Sequence, residues 1–125
     1  MSGGLTTVGV EGFRIEPQAG ATAIAVKLSG NCDSQATSLL DLFLTTLHDQ
    51  AVGTSVKTVT LDCQDLYFMN SASLKAFVTW LTKVKVLPAP QRYQVSVRTN
   101  RNLAWQSRSF GAIQRSAIEV LAVVE

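Results

Sequence analysis

The stretch from Val59 to Phe77, VTLDCQDLYFMNSASLKAF, constrains the fold more than any other part of the chain. A strand-like run, VKTVTLDC, is followed by QDLYFM, which reads as an apolar connection, and then by three small polar residues. After them the period changes. Leu74, Phe77, Val78, Leu81 and Val84 form one helical stripe, with Lys75, Thr79, Thr82 and Lys83 turned away. The helix stops before LPAPQ, where two prolines forbid its continuation. A strand that turns directly into a helix through Asn70, Ser71, Ala72 and Ser73 is the repeating step of an α/β domain.

The remaining segments extend that pattern. Residues 1–11 are small and aperiodic and predict a flexible N-terminal arm, leaving 12–125 as one domain. FRIEP predicts a short strand stopped by Pro17, and QAGA a turn. TAIAVKLSG predicts a buried strand ended by Gly30. Ala36, Leu39, Leu40, Phe43, Leu44 and Leu47 then recur at helical steps, with Asp33 or Ser34 available as cap. RYQVSVRT alternates as a strand, LAWQSRSF predicts a short helix ended by Gly111, and AIEVLAVV a last strand or helix. The order is ββαβαβα with a short tail, and its opening β-β step requires a mixed sheet.

At 125 residues, 46% hydrophobic and 16% charged, the chain predicts a single globular domain with a real core. It has no run long enough for a membrane span and no signal-peptide pattern, so a cytoplasmic protein without stable membrane insertion is expected. The net charge of +2 is unevenly distributed. Residues 1–65 carry seven acids and three bases, whereas 66–118 carry eight bases and no acid. Either those bases are scattered for solubility, or they form a surface that favours an acidic partner. No nucleic-acid-binding motif accompanies them.

Little catalytic chemistry is on offer. Cys32 and Cys63 are not spaced as a metal-ligand pair and read as reduced thiols. His48 falls in the polar part of the first helix and reads as a solvated histidine. VGTSVKT lacks the Gly-Lys-Ser/Thr ending of a phosphate loop. Asp62 ends a strand as a phosphoacceptor would, but the earlier strands do not supply the acidic pair that holds a divalent metal. No cofactor, metal or enzyme activity is expected. The serine stretch is the better feature. A hydroxyl at a helix start is a cap, or a place where phosphate is tolerated by free N–H groups and the helix dipole.

These residues resemble a family. LSGNCDSQATSLL is similar to its Gly-Glu-Leu-Asp followed by a helix, and VTLDCQDLYFMNSASLKAF to its apolar strand, Asp-Leu-x-Phe-Met and Asp-Ser-Ser-Gly-Leu. LAWQSRSFGAI is similar to its short third helix. The family is the STAS domains, of sulfate transporters and anti-sigma factor antagonists, and the resemblance spans Gly12 to Val123. It implies a STAS-like α/β domain with a mixed β-sheet and helices packed mainly on one face. It also implies a bacterial regulator that binds an anti-sigma factor or related serine kinase, which phosphorylates the first serine of the hallmark. By position that serine is Ser71. Asn70 takes the family's Asp place, Ala72 the second Ser, Ser73 the Gly, and Asp33 the Asp that starts the first helix. The alternative within the family is a constitutive scaffold, or the STAS subunit of a lipid ABC transporter. A homo-oligomer stays open.

Trp80 lies about 100° from the centre of the apolar stripe of its helix, on a flank shared with Ser73 and Ala76. Two readings stand. It packs as peripheral core, or it anchors a partner that lies over Asp33, Asn70, Ser71, Ala72, Ser73 and Ala76.

Overall fold

A computed structural model describes residues 5–125 of the chain. Its elements run β1 (Val8–Val10), β2 (Phe13–Ala19), β3 (Ala23–Cys32), α1 (Thr37–Gly53), β4 (Thr58–Met69), α2 (Ser71–Lys85), a 3-10 turn (Ala89–Gln91), β5 (Gln94–Arg98), α3 (Ala104–Ser116) and β6 (Leu121–Val124). The ββαβαβα order is present, with one strand added at each end. β1 falls inside the expected arm, where Val8 pairs with Ile15 and Val10 with Phe13; residues 1–4 lie outside the described residues.

The strands form one sheet in sequence order, β1 to β6, antiparallel through β3 and parallel from β3 onward. Each parallel connection steps one place in the same direction. Right-handed crossovers therefore put α1, α2 and α3 on the same face. Burial follows. Ile24, Val59, Val95 and Leu121 form one row across four strands, with Val26, Leu61 and Val97 in the next, and all are buried under the helices. The opposite face carries Arg14, Lys27, Asp62 and Arg98, with Lys27 Nζ 3.2 Å from Asp65. That carboxylate raises the Lys27 pKa. Among the described residues no helix is long and apolar enough to cross a membrane.

Three boundaries differ from expectation, each for a backbone reason. Pro17 does not stop β2, which runs on to Ala19. β1 pairs only as far as Ile15, so the missing N–H of Pro17 falls on a free edge. Gly30 does not end β3. It sits within the strand at φ +95, where an added Cβ would collide with the Gly12 carbonyl oxygen. The tight β1–β2 turn packs into that space, with Asn31 N–H donating to Gly12 O at 2.8 Å. Gly111 likewise lies inside α3, which continues to Ser116.

QDLYFM is not a connection but the second half of a twelve-residue β4. Its pairing with β3 slips twice, once beyond Asp62 and once beyond Leu66, so the strand holds extra residues relative to its neighbour. Buried positions accordingly change from steps of two (Val59, Leu61, Cys63) to steps of three (Leu66, Met69). That change of step hides the strand from a period-two reading. β5 pairs only as far as Asp62, and side chains from 100–106 take over its role. The buried Gln106 amide donates to Cys63 O at 2.6 Å and Leu66 O at 2.8 Å, Asn100 Nδ2 to Gln64 O at 3.0 Å, and Trp105 Nε1 to Tyr67 O at 2.9 Å. Carbonyls that the bulges would leave unpaired are thus satisfied, and the end of β4 is held rigidly where it turns into α2.

Candidate functional site

Thr37 opens α1 and Ser71 opens α2, and both helices start at the same edge of the sheet, beyond the carboxyl ends of β3 and β4. Cys32 and Met69 are register partners, and Asn70 N–H donates to Cys32 O at 3.0 Å, which sets the two exits side by side. Asn70 is the N-cap of α2. Its side-chain oxygen accepts from Ser73 N–H at 2.8 Å, and its main-chain oxygen from Leu74 N–H at 3.0 Å.

A hydroxyl chain joins the two helix starts. Cys32 Sγ lies 3.3 Å from Ser73 Oγ, Ser73 Oγ 2.8 Å from Thr37 Oγ1, and Thr37 Oγ1 3.1 Å from Asp33 O and 3.3 Å from Asn70 Oδ1. One directional order satisfies every proton: the thiol donates to Ser73, Ser73 to Thr37, and Thr37 to Asp33 O or Asn70 Oδ1. Burial pushes the Cys32 thiol pKa up, so the sulfur stays a donor. Thr37 and Cys32 were not legible as members of this site, because their partners lie 36 and 41 residues away.

The expected site residues separate into two groups. Ser71 and Ala72 are exposed on the first turn of α2, with Asn70, Asp33 and Ala76 half-buried around them. Asp33 is not the cap of α1. That position is Ala36, while the Asp33 carboxylate closes a turn onto Gln35 N–H at 3.0 Å. Ser73 and Trp80 belong to the interior, at 0% and 2% exposure. Ser73 is buried because it bridges α1 and α2. Trp80 is buried because Phe77 and Tyr93 pack against its ring, at centroid distances of 5.6 and 6.4 Å. The buried stripe of α2 is therefore Ser73, Phe77, Trp80, Leu81 and Val84, rotated toward Trp80 and leaving Val78 at the surface. A partner over Ser71 meets neither Ser73 nor Trp80, and the anchor reading of Trp80 is corrected to core.

Two other aromatics are exposed near the start of α2. Tyr67 and Phe68, at 55% and 47% exposure, stand four and three residues ahead of Ser71 on the bulged end of β4. Trp105 is half-buried beside Tyr67, whose carbonyl it holds. The adjacent pair in the sequence was the available signal, since two consecutive residues of a regular strand cannot both face the core.

No family model and no curated protein matches the chain. Solved structures do. An anti-sigma factor antagonist from Mycobacterium paratuberculosis superposes with a TM-score of 0.66 at 12% identity, covering 96% of this chain and 90% of that one. The anti-sigma factor antagonist SpoIIAA, in its unphosphorylated form, superposes at 0.60 with 12% identity, covering 90% of this chain and 88% of that one. The fold is that of the anti-sigma factor antagonists. The expected STAS architecture is thereby borne out over nearly the whole chain, at an identity too low to carry function with it. Within the STAS fold of this chain, Ser71 lies at the exposed start of α2 and Ser73 in its packed face.

Proposed function

We propose that this protein is a non-enzymatic regulatory module, similar to an anti-sigma factor antagonist, which docks a serine-kinase-type anti-sigma factor through the surface around Ser71. Phosphorylation of Ser71 by that partner switches the contact off. The observation that carries the reading is the contrast between the two serines: Ser71 is exposed at the first helical position of α2, while Ser73 is buried in a hydroxyl chain. Only the first offers its oxygen to a kinase.

Three features support the switch. A phosphate on Ser71 would sit at the positive end of the α2 dipole, with Lys75 one turn along on the same side, so the modified protein keeps its fold. It would add about −1.5 to −2 charge to a surface whose apolar part is Tyr67 and Phe68, which a closely packed partner does not tolerate. Asn70, where the family has Asp, retains the cap through its oxygen but supplies no carboxylate beside the hydroxyl; a kinase brings its own base and magnesium.

The test is affinity capture of the full chain from its native cell, with mass spectrometry of the partner and of Ser71. The expected partner is a serine kinase of the anti-sigma type, retained by wild type and Ser71→Ala and lost by Ser71→Asp. Capture of a transporter ATPase or a large assembly, with Ser71 unmodified and Ser71→Asp bound equally, would make the protein a constitutive STAS subunit instead.

A further inference from the structure

Tyr93, at the entry to β5, is fully buried, and side chains from two helices hold its hydroxyl. Trp80 Nε1 of α2 lies 2.9 Å from it and His48 Nδ1 of α1 lies 2.7 Å from it. An indole N–H only donates, so the Tyr93 oxygen accepts from Trp80. The phenolic proton then needs an acceptor, and among the described residues His48 Nδ1 supplies it. The imidazole in this arrangement is neutral and carries its own proton on Nε2. Protonation would place a second proton on Nδ1, turn two donors toward one another, and leave a buried O–H unpaired. His48 is half-buried with its Nδ1 on Tyr93, not the free surface histidine that its place in the helix pattern suggested.

We propose that His48 is the proton-sensitive joint of a latch, His48–Tyr93–Trp80, which ties the C-terminal half of α1 to α2 and β5 and opens on acidification. The surrounding charges agree. Burial is the largest influence and lowers the His48 pKa; Asp49 on α1 opposes this and Lys83 on α2 reinforces it. Burial pushes the Tyr93 hydroxyl up, so the phenol remains the donor. The neighbouring Arg92 turns its guanidinium to Leu87 O, at 3.0 Å. Because the folded protein binds this proton less tightly than the unfolded chain, the latch contributes fully above the unfolded histidine value of about 6.5. That contribution is lost as pH falls from there through the lower folded value. The hydroxyl chain at the other end of the two helices has no group titrating in this window, so acid loosens one end of the α1–α2 contact and spares the other.

The whole chain tests this cleanly, since His48 is its single histidine. Uniformly 15N-labelled protein, titrated from about pH 7.5 to 5 across the ordinary histidine range, reports both imidazole nitrogens and both indole N–H groups. The expected result is an Nε2–H tautomer at neutral pH and a Trp80 indole resonance that moves in step with the imidazole. The Trp105 indole, bonded to Tyr67 O, should stay fixed. His48→Gln should lose most of the wild-type fall in Tm between about pH 7 and 5.5, a window above the ordinary carboxylate range. An Nδ1–H tautomer at neutral pH, or a Trp80 indole unmoved while the imidazole titrates, would overturn the latch. So would a His48→Gln variant that keeps the wild-type slope. If that variant does not fold, the tautomer and the indole signals of the wild type decide alone.

Discussion

Ser71 and Ser73 share the first turn of α2 yet face opposite environments, and a single added charge separates them. At Ser71 an aspartate meets solvent, the helix dipole and Lys75, so Ser71→Asp should leave stability unchanged or raise it by about 0.3–1 kcal/mol. At Ser73 the same carboxylate would be buried between Thr37 Oγ1, a hydroxyl already donating to Asp33 O or Asn70 Oδ1, and the Cys32 thiol, a weak donor. Ser73→Asp should cost on the order of 3 kcal/mol or more, or prevent folding. Urea unfolding of the two variants measures the difference; equal midpoints would mean that Ser73 is not enclosed as described. Ser71 was legible from sequence because a helix start announces itself through its cap and its change of period. The burial of Ser73 was not, since the residues that enclose it come from a different strand and helix.

At the scale of elements, the three misplaced boundaries share one cause: glycine and proline were taken as terminators where the chain uses them for other purposes. Gly30 and Gly111 make the contrast measurable. Gly30 holds a positive φ and has the Gly12 carbonyl where a side chain would go, so Gly30→Ala should cost at least about 2 kcal/mol. Gly111 lies in mid-helix with nothing within 4 Å of an added Cβ, and Gly111→Ala should stabilise by roughly 0.5–1 kcal/mol. Opposite shifts in the unfolding midpoint are expected, and a stabilising Gly30→Ala would contradict the close β1–β2 turn. The α/β alternation, the mixed sheet and the stripe of α1 were legible because burial on one face imposes a period on sequence; that of α2 was legible only in Phe77, Leu81 and Val84. β4 was not, beyond Cys63. Its bulges replace a period of two by steps of three, and its spare carbonyls are paired by Asn100, Trp105 and Gln106, more than 30 residues downstream. Local pattern cannot carry that information.

Over the whole molecule, the charge imbalance of the sequence becomes a spatial one. α1 presents Asp41 and Asp49, whereas α2 presents Lys75 and Lys83 and α3 presents Arg108 and Arg115, all exposed. Three of the remaining bases are engaged: Arg101 pairs with Glu125 at 2.9 Å, Lys85 donates to Ser116 O at 3.1 Å, and Arg92 donates to Leu87 O at 3.0 Å. Arg98 lies on the opposite sheet face. The helical layer is therefore basic on the side of α2 and α3, and Lys75 stands one turn from Ser71 on the exposed face of α2. Such a field acts on encounter rate more than on final affinity, and its reach is a Debye length, about 8 Å at 0.15 M salt. Association with the partner proposed for the Ser71 surface should slow markedly between about 0.05 and 0.5 M salt, where the screening length shortens severalfold. Lys75→Glu should slow it further at low salt and flatten the salt dependence, with stability changed by no more than about 0.5 kcal/mol because the residue is exposed. Stopped-flow association across that salt range reads both effects. An on-rate indifferent to salt, and equal in wild type and Lys75→Glu, would leave the basic side of α2 and α3 with solubility as its only role.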